Sequence, residues 1–286
     1  IYPVKNESMT VIGTGYNSHV FRITGEKPGK KDEVVRLVFA GKITQKKGVK
    51  SLLRAMNLLD EESGQIKLVL AGGAGNQKEY EEIKELAAHC RYPVRFAGCV
   101  SQVELAKLYN DGDIFVLPSM YEGLPLTVIE SLACGDRVVM TRLDGVTDWL
   151  EDMLPDADIR YVDLPKMKGA DEAVEEELPV FEKRLAQALE DAIRTVKQEN
   201  RGLVKNRACD VSRISWQKIA QEVIRYKVDK RERKDQLDDF SALFCYISVK
   251  SIFYNVSFLL TYPGRSSEAD SSFACVILAC LSIRVV

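Results

Sequence analysis

Histidine and tryptophan are scarce in this chain, which has two of each among 286 residues. Two histidines and no G-x-S-x-G sequence disfavour a hydrolase built on a Ser-His-Asp triad. The seven cysteines form no C-x-x-C pair and have no histidine at zinc-ligand spacing, which is typical of reduced thiols in a cytoplasmic protein. The net charge of −2 shows no nucleic-acid footprint, so we expect no nucleic-acid partner.

The usual phosphate-binding fingerprints are also absent. "GKITQKKG" (41–48) is not a P-loop, because Gly48 is followed by Val49 rather than by Lys-Ser/Thr. Neither "AGGAGN" (71–76) nor "GTGYN" (13–17) fits G-x-G-x-x-G, which disfavours a nicotinamide enzyme.

Neither end of the chain has the pattern of a regular domain. The first residues, "IYPVKNESMTVIG", lack the basic and apolar regions of a signal peptide, and we expect further sequence upstream. Residues 240–286 hold five charged groups in 47 positions. The stretch 240–262 is long enough to cross a bilayer, but Lys250 at its middle would be costly there. A tail foreign to the domain is the favoured interpretation, and a membrane span the alternative.

Between these ends, short apolar runs alternate with amphipathic segments. The pattern predicts an α/β fold, a Rossmann-like open parallel sheet flanked by helices. In such sheets ligands bind beyond the carboxyl ends of the strands. The predicted strands are 34–41, 66–73, 94–98, 113–119 and 137–141, and the predicted helices are 48–59, 78–90, 101–111 (with Ser101 and Glu104 as a capping box) and 125–134.

The region that follows is acidic and then helical. Residues 163–182 are rich in glutamate and spaced by proline and glycine, which predicts an exposed loop. From 180 to 230 the pattern predicts helix, with Trp216, Ile219, Val223 and Tyr226 on the buried face of the last segment.

The stretch "MYEGLPLTVIESLACG" (120–135) carries two glutamates eight positions apart. Pro125 is expected in the first helical turn, so the amides before it would face an anion. Glu130 falls within an apolar helix, where a carboxylate must be paired or bind something. Paired ribose or sugar hydroxyls fit it, and a lysine partner is the alternative. Glu122, just outside the helix, would accept hydrogen bonds from sugar hydroxyls, or would be an ordinary surface residue.

Of two further charged stretches, one is interpreted as a binding site and the other is not. Lys42 and Lys47 follow the first strand, where lysine suits phosphate, although a solvated helix face is the alternative. "DGD" (111–113) resembles a metal site, but it should lie at the amino edge of the sheet, between a helix end and a strand start. We therefore predict no metal there.

Together these segments resemble the C-terminal, nucleotide-sugar-binding domain of the family 4 (group 1) retaining GT-B glycosyltransferases. The resemblance is carried by "VVRLVFAGKITQKKGVKSLLRAMNLL", "LVLAGG", "VRFAGCV", "LYNDGDIFVLPSMYEGLPLTVIESLACG" and "ISWQKIAQEVIRYK", and runs from about Thr10 to Lys230. It implies one half of a GT-B fold at 33–230 with a C-terminal helical segment, an interdomain hinge remnant at 1–32, and a non-family apolar tail at 231–286, for which disorder is one expectation.

The resemblance also implies a role for each site residue. Glu122 would contact the donor sugar, and Glu130 the ribose. Lys47 and Lys42, where the family usually has arginine, would neutralise the departing diphosphate. Val100 would meet the base through its backbone. The amides that would cradle the diphosphate are those of Gly123, Leu124, Leu126 and Thr127.

The implied reaction is transfer of a sugar from a nucleotide-diphosphate sugar with retention of configuration, without metal or other cofactor. The acceptor, a glycan, lipid or small molecule, is open. A cytoplasmic enzyme with peripheral membrane contact is the expected setting. Because the acceptor domain is almost absent from this sequence, a non-catalytic nucleotide-sugar-binding module is the alternative. A GT-B-like epimerase is disfavoured, since its acid and base groups are missing.

Overall fold

The computed structural model describes residues 15–24, 34–198 and 209–223. They fall in two compact units, one at Tyr16–Arg213 and another that includes Gly15 and residues 214–223. The predicted tail and candidate membrane span at 231–286 lie outside the described residues, as does most of the predicted hinge. Within the described part of the chain, no helix is both long and apolar enough to cross a membrane.

The larger unit is built on a six-stranded, all-parallel sheet with the order β3-β2-β1-β4-β5-β6. The strands are β1 (Val35–Ala40), β2 (Ile66–Ala71), β3 (Val94–Gly98), β4 (Ile114–Leu117), β5 (Arg137–Arg142) and β6 (Ile159–Asp163). β1 and β4 are almost wholly buried, as expected for strands covered by helices on both faces. The predicted open parallel sheet is confirmed.

Helices connect the strands. They are α1 (Val49–Met56), α2 (Gln77–Ala88), α3 (Gln102–Asp111), α4 (Leu126–Ala133), α5 (Val146–Met153) and α6 (Leu178–Gln198). The capping box predicted at α3 is present, since the Ser101 side chain accepts from the Glu104 amide and the Glu104 carboxylate accepts from the Ser101 amide.

The prediction of an exposed loop over 163–182 is wrong in its last part. A 3-10 turn forms at Glu175–Glu177, and α6 begins at Leu178. Leu178, Phe181 and Leu185 are buried at helical spacing, and the glutamates before them lie at the positive end of the helix dipole. Acidic composition therefore marked a helix start rather than an end to regular structure.

The helical prediction for 180–230 holds through Gln198 and at 216–223. It is wrong for the described residues 209–215, which hold a 3-10 turn at Ser212–Ile214 and no α-helix. Ile219 is buried, as predicted, whereas Trp216 and Val223 are only partly so. Tyr226 and the remainder of that prediction lie outside the described residues.

Candidate functional site at the carboxyl edge of the sheet

The loops after β1, β2 and β3 are joined at the carboxyl edge of the sheet. The Gly41 amide donates to the Ala71 carbonyl at 2.9 Å, and the Gly72 amide donates to the Gly98 carbonyl at 2.8 Å. Gly72 has φ +142, and a Cβ there would lie 1.8 Å from the Gly41 carbonyl oxygen. The absence of a side chain thus lets two loops touch through their backbones.

The loop after β1 is equally close to the loop after β4. Gly48, with φ +72, precedes α1, and a Cβ on it would lie 1.9 Å from the Pro118 carbonyl oxygen. The Met120 amide donates to the Lys46 carbonyl at 2.9 Å. These two contacts bring Lys47 beside the stretch that begins at Met120.

Glu122 and Lys47 meet directly. The Lys47 ammonium lies 2.6 Å from Glu122 Oε1, and the Ser119 hydroxyl donates to the same oxygen at 2.7 Å. Both charged side chains are largely buried, with 28% exposed for Lys47 and 14% for Glu122. Glu122 is therefore not a plain surface residue, and these two predicted site residues share one place.

Lys42 and Lys46 are the exposed cations of the same loop. Lys42 has no hydrogen-bond or ion-pair partner among the residues that the structure describes. The Lys46 ammonium pairs with Asp171 at 2.5 Å. The hydrogen bond and charge of Asp171 raise the pKa of Lys46. Asp171 belongs to a short hairpin closed by the Met167–Ala173 bridge, so an acidic hairpin contacts the loop that holds Lys47.

The start of α4 offers backbone donors. Pro125 takes the position just before the helix, rather than the predicted first turn. The Leu126 amide donates to the Leu124 carbonyl at 3.0 Å and is thereby engaged. The amides of Gly123, Leu124 and Thr127 donate no hydrogen bond to any described residue. Gly123 is exposed, so a ligand can approach its backbone.

Glu130 lies further along the same helix and is buried, with 8% of its surface exposed. Its carboxylate has no hydrogen-bond or ion-pair partner within the described residues, so the alternative of a lysine partner finds no support there. Burial raises the pKa of Glu130 to about 8. A charged group without compensation is costly in such a place.

Tyr109 shares the environment of Glu130. Its hydroxyl is buried and has no hydrogen-bond partner in the described structure. Burial first, and then the charges of Glu130 and Asp136, raise the pKa of Tyr109 well above its ordinary value. The phenol therefore stays neutral beside the carboxylate.

Val100 follows β3 at the same edge and is half-buried. Its predicted contact with a base stays a prediction, as do the separate roles of the other site residues. In contrast, Asp113 lies at the amino edge. Its carboxylate accepts from the Arg36 amide at 2.9 Å, which ties the start of β4 to β1. In the part of the chain that the structure describes, no three His, Cys, Asp or Glu side chains are grouped to hold a metal ion.

Two buried residues at this edge received no role from the sequence. Ser119 bonds Glu122, and the Thr141 hydroxyl donates to the Ser119 carbonyl at 2.5 Å. Both are completely buried. A serine that directly follows an apolar strand was the available signal for the first. Nothing in the sequence distinguishes Thr141 from an ordinary strand threonine.

The order of the sheet defines a class of protein, the open α/β domains, whose ligands as a rule bind at the switch point of the sheet, which here lies between β1 and β4. Among solved structures, the chain resembles HepE from Anabaena, whose crystal structure holds UDP and glucose, with a TM-score of 0.56 at 17% identity over 75% of this chain and 55% of that one. It also resembles a glycosyltransferase from Rickettsia africae, with a TM-score of 0.51 at 18% identity over 82% of this chain and 59% of that one. These likenesses confirm the predicted half of a GT-B fold.

Part of the chain is also similar to curated sequences. The chain is 34% identical over 120 residues to an uncharacterized glycosyltransferase of Methanocaldococcus jannaschii, covering 42% of this chain and 30% of that protein. It is 32% identical over 119 residues to the alpha-galactosylglucosyldiacylglycerol synthase of Streptococcus pneumoniae, covering 41% of this chain and 31% of that protein. Residues 21–154 match the model of glycosyl transferases group 1. The chain spans about a third of the length of these two relatives.

Proposed function

We propose that this chain carries the donor-binding half of a retaining glycosyltransferase that uses a nucleotide-diphosphate sugar. The observation that carries the proposal is Glu130, a buried carboxylate without a described partner. It lies in α4, and the amides of Gly123 and Leu124 just before this helix, with that of Thr127 in its first turn, are free for an anion. A ligand with vicinal hydroxyls and a diphosphate satisfies both features at once. A nucleoside diphosphate has this combination.

The residues divide along such a ligand. The ribose hydroxyls donate to Glu130, and the diphosphate accepts from the amides of Gly123, Leu124 and Thr127. Leu126 supports the turn through its bond to Leu124, so its predicted contact with the phosphates requires that bond to open. The sugar then lies outside the helix, beside Glu122.

Lysine supplies the remaining charge. Lys47 is already at the site, and Lys42 is exposed at the same loop. During transfer the diphosphate leaves with developing negative charge, which fixed cations and amides stabilise. Lys42 acts as a point charge without the bidentate geometry of arginine. Retention follows if the acceptor attacks from the side that the diphosphate leaves, through an oxocarbenium-like state that needs no protein nucleophile.

With these lysines and amides facing the diphosphate, we expect no requirement for a metal. The proposed site explains the binding of only one of the two substrates, the nucleotide-sugar donor. The acceptor is unassigned, and a cytoplasmic setting with peripheral membrane contact stays a proposal. The predicted Val100 contact would place the base at the loop after β3.

Isothermal titration calorimetry of the purified chain with UDP, GDP and ADP tests the donor site. We expect weak binding of at least one of them, unchanged by EDTA, and no sugar transfer by the chain alone. If none of the three binds, the donor site is refuted. If the chain transfers sugar efficiently to an added acceptor, the assignment of this chain to the donor half alone is refuted.

The second candidate is a nucleotide-sugar-binding module without activity. The chain spans about a third of the length of the two curated relatives, so binding of a nucleotide sugar and transfer of its sugar are separate proposals. The two candidate functions are distinguished by joining the chain to any acceptor domain encoded upstream and assaying sugar transfer. Sugar transfer by the joined protein supports the enzyme, whereas tight binding without transfer supports the module.

A further inference from the structure

Glu122 is held through one of its two oxygens. Lys47 Nζ and Ser119 Oγ both bond Oε1, at 2.6 and 2.7 Å. Oε2 accepts no hydrogen bond from the residues that the structure describes. The carboxylate is thus anchored on one side and has a second oxygen available to a ligand.

The two partners on Oε1 differ in how firmly they are held. Lys47 is 28% exposed at the end of a flexible side chain, and a diphosphate would compete with Glu122 for its ammonium. Ser119 is completely buried and short. Its carbonyl accepts a hydrogen bond from the Thr141 hydroxyl at 2.5 Å. The amide of the adjacent Met120 donates to the Lys46 backbone carbonyl at 2.9 Å. Ser119 therefore cannot follow Lys47 away from the carboxylate.

We propose that Ser119 is a positioning residue, which keeps Glu122 oriented towards the donor sugar when the diphosphate draws Lys47 away. The inference rests on the proposed donor site, and it adds a residue for which neither the sequence nor the family resemblance gave a role. Without Ser119, once Lys47 has turned to the diphosphate, no described side chain would hold Glu122 Oε1 and so orient the carboxylate.

The variants are Ser119→Ala, which removes the hydroxyl, and Ser119→Thr, which keeps it. The matched control is Ser131→Ala, because Ser131 is also completely buried and donates its hydroxyl, at 2.9 Å, to the Val128 carbonyl within α4. Each variant is titrated with UDP, GDP and ADP and with UDP-glucose, GDP-mannose and ADP-glucose. The pair that wild type binds gives the comparison.

A charged hydrogen bond of the usual strength corresponds to roughly tenfold in affinity. We expect Ser119→Ala to lose about tenfold for the nucleotide sugar. Its affinity for the nucleoside diphosphate should stay close to that of wild type, and Ser119→Thr should restore binding of the nucleotide sugar. Equal losses for both ligands, or a loss matched by Ser131→Ala, would show a merely structural serine and overturn the inference.

A measurement without ligand keeps the inference separate from the donor site. In chains labelled with carboxyl-¹³C glutamate, the Glu122 resonance is assigned by Glu122→Gln. Ser119→Ala should shift this resonance, and Ser131→Ala should not. An unmoved resonance overturns the inference whether or not a nucleotide binds, whereas failed binding of every nucleotide by wild type counts against the proposed function alone.

Discussion

Lys47 and Glu122, 75 residues apart in the chain, form an ion pair of 2.6 Å across the junction between β1 and β4. The cation proposed for the diphosphate is thus neutralised by the carboxylate proposed for the sugar when no ligand is present. At the proposed site, a diphosphate that binds the Lys47 ammonium displaces Glu122 from it, and variants of either residue test this exchange.

Lys47→Ala should weaken binding of the nucleoside diphosphate by about tenfold at low salt, since one charge-assisted contact is lost. The loss should shrink as salt is raised. Lys50→Ala is the matched control, because Lys50 is also paired, with Glu82 at 2.7 Å, but lies on α1 away from Glu122. Calorimetry at two salt concentrations checks this. A similar loss in both variants would mean that general charge, and not Lys47, attracts the ligand.

Glu130→Gln should raise stability at pH 8 and change it little at pH 4. The pKa of Glu130 is raised to about 8, so the folded chain holds its proton more tightly than the unfolded chain does. Stability from this group is complete below the unfolded pKa and declines as the pH rises through about 8. Each tenfold difference in proton affinity between the folded and unfolded chains corresponds to about 1.4 kcal/mol, and glutamine removes the dependence.

Urea unfolding between pH 4 and 9 measures that effect. The exposed Glu85→Gln on α2 serves as the control. If wild type and Glu130→Gln have parallel pH profiles, the carboxylate is already compensated in solution and its role as a vacant ribose acceptor is in doubt.

The two glutamates should differ in which ligand they affect. Glu130→Gln should weaken the binding of the nucleoside diphosphate and of the nucleotide sugar alike, by about tenfold, because both ligands contain the ribose. Glu122→Gln should weaken chiefly the binding of the nucleotide sugar. The substitution also removes the ion pair with Lys47, whose ammonium is then available to the phosphates. Titration of both ligands against both variants checks the division. Identical losses for all four combinations would contradict it, and no loss in any would make the whole stretch structural.

Gly48→Ala should destabilise the chain strongly, by more than about 2 kcal/mol, because the added carbon meets the Pro118 carbonyl oxygen at 1.9 Å and φ is +72. Gly64→Ala is the control, since nothing lies within 4 Å of its new carbon. Thermal unfolding compares the two. Similar melting temperatures would mean that the contact between the loops after β1 and β4 is looser than the structure gives.

Asp171→Asn should tighten binding of the nucleoside diphosphate about two- to threefold at low salt, because Lys46 would no longer be neutralised. The gain should vanish at high salt, as for any exposed pair. Asp144→Asn, another exposed aspartate, is the control. An unchanged affinity at low salt would place the acidic hairpin too far from the phosphates to matter.

Much of this molecule follows from its periodicity. β1 to β5 and α1 to α4 were each expected within a few residues, because buried parallel strands are continuous apolar runs and the helices carry one apolar stripe. α5 and β6 were not assigned. Val146–Met153 is short, and only Val146, Thr147 and Leu150 of it are buried. β6 is an edge strand with one buried residue, Val162, so neither gives a strong pattern.

The site was predictable in its place but not in its bonds. The alternation of strands and helices in a parallel sheet predicted Lys47 and Glu122 at one edge, where the structure has them. That they bond each other could not be inferred, because it depends on the close approach of the Gly48 backbone to the Pro118 carbonyl, which only tertiary packing sets. The shared hydrogen bond of Ser119 has the same origin. Local sequence specifies the type of residue at each loop, whereas the distances between loops come from the whole sheet.

The contacts of Gly48 with Pro118 and of Met120 with Lys46 have a further effect on recognition. They join the loops after β1 and β4 before any ligand arrives, so neither loop can be displaced without straining the other. The conformational entropy of these two loops is therefore lost during folding and not during ligand binding. This favours fast association with little change in heat capacity. At the proposed site, discrimination between one donor and another then rests on how well the ligand fits these rigid loops, rather than on how far the loops adapt to it.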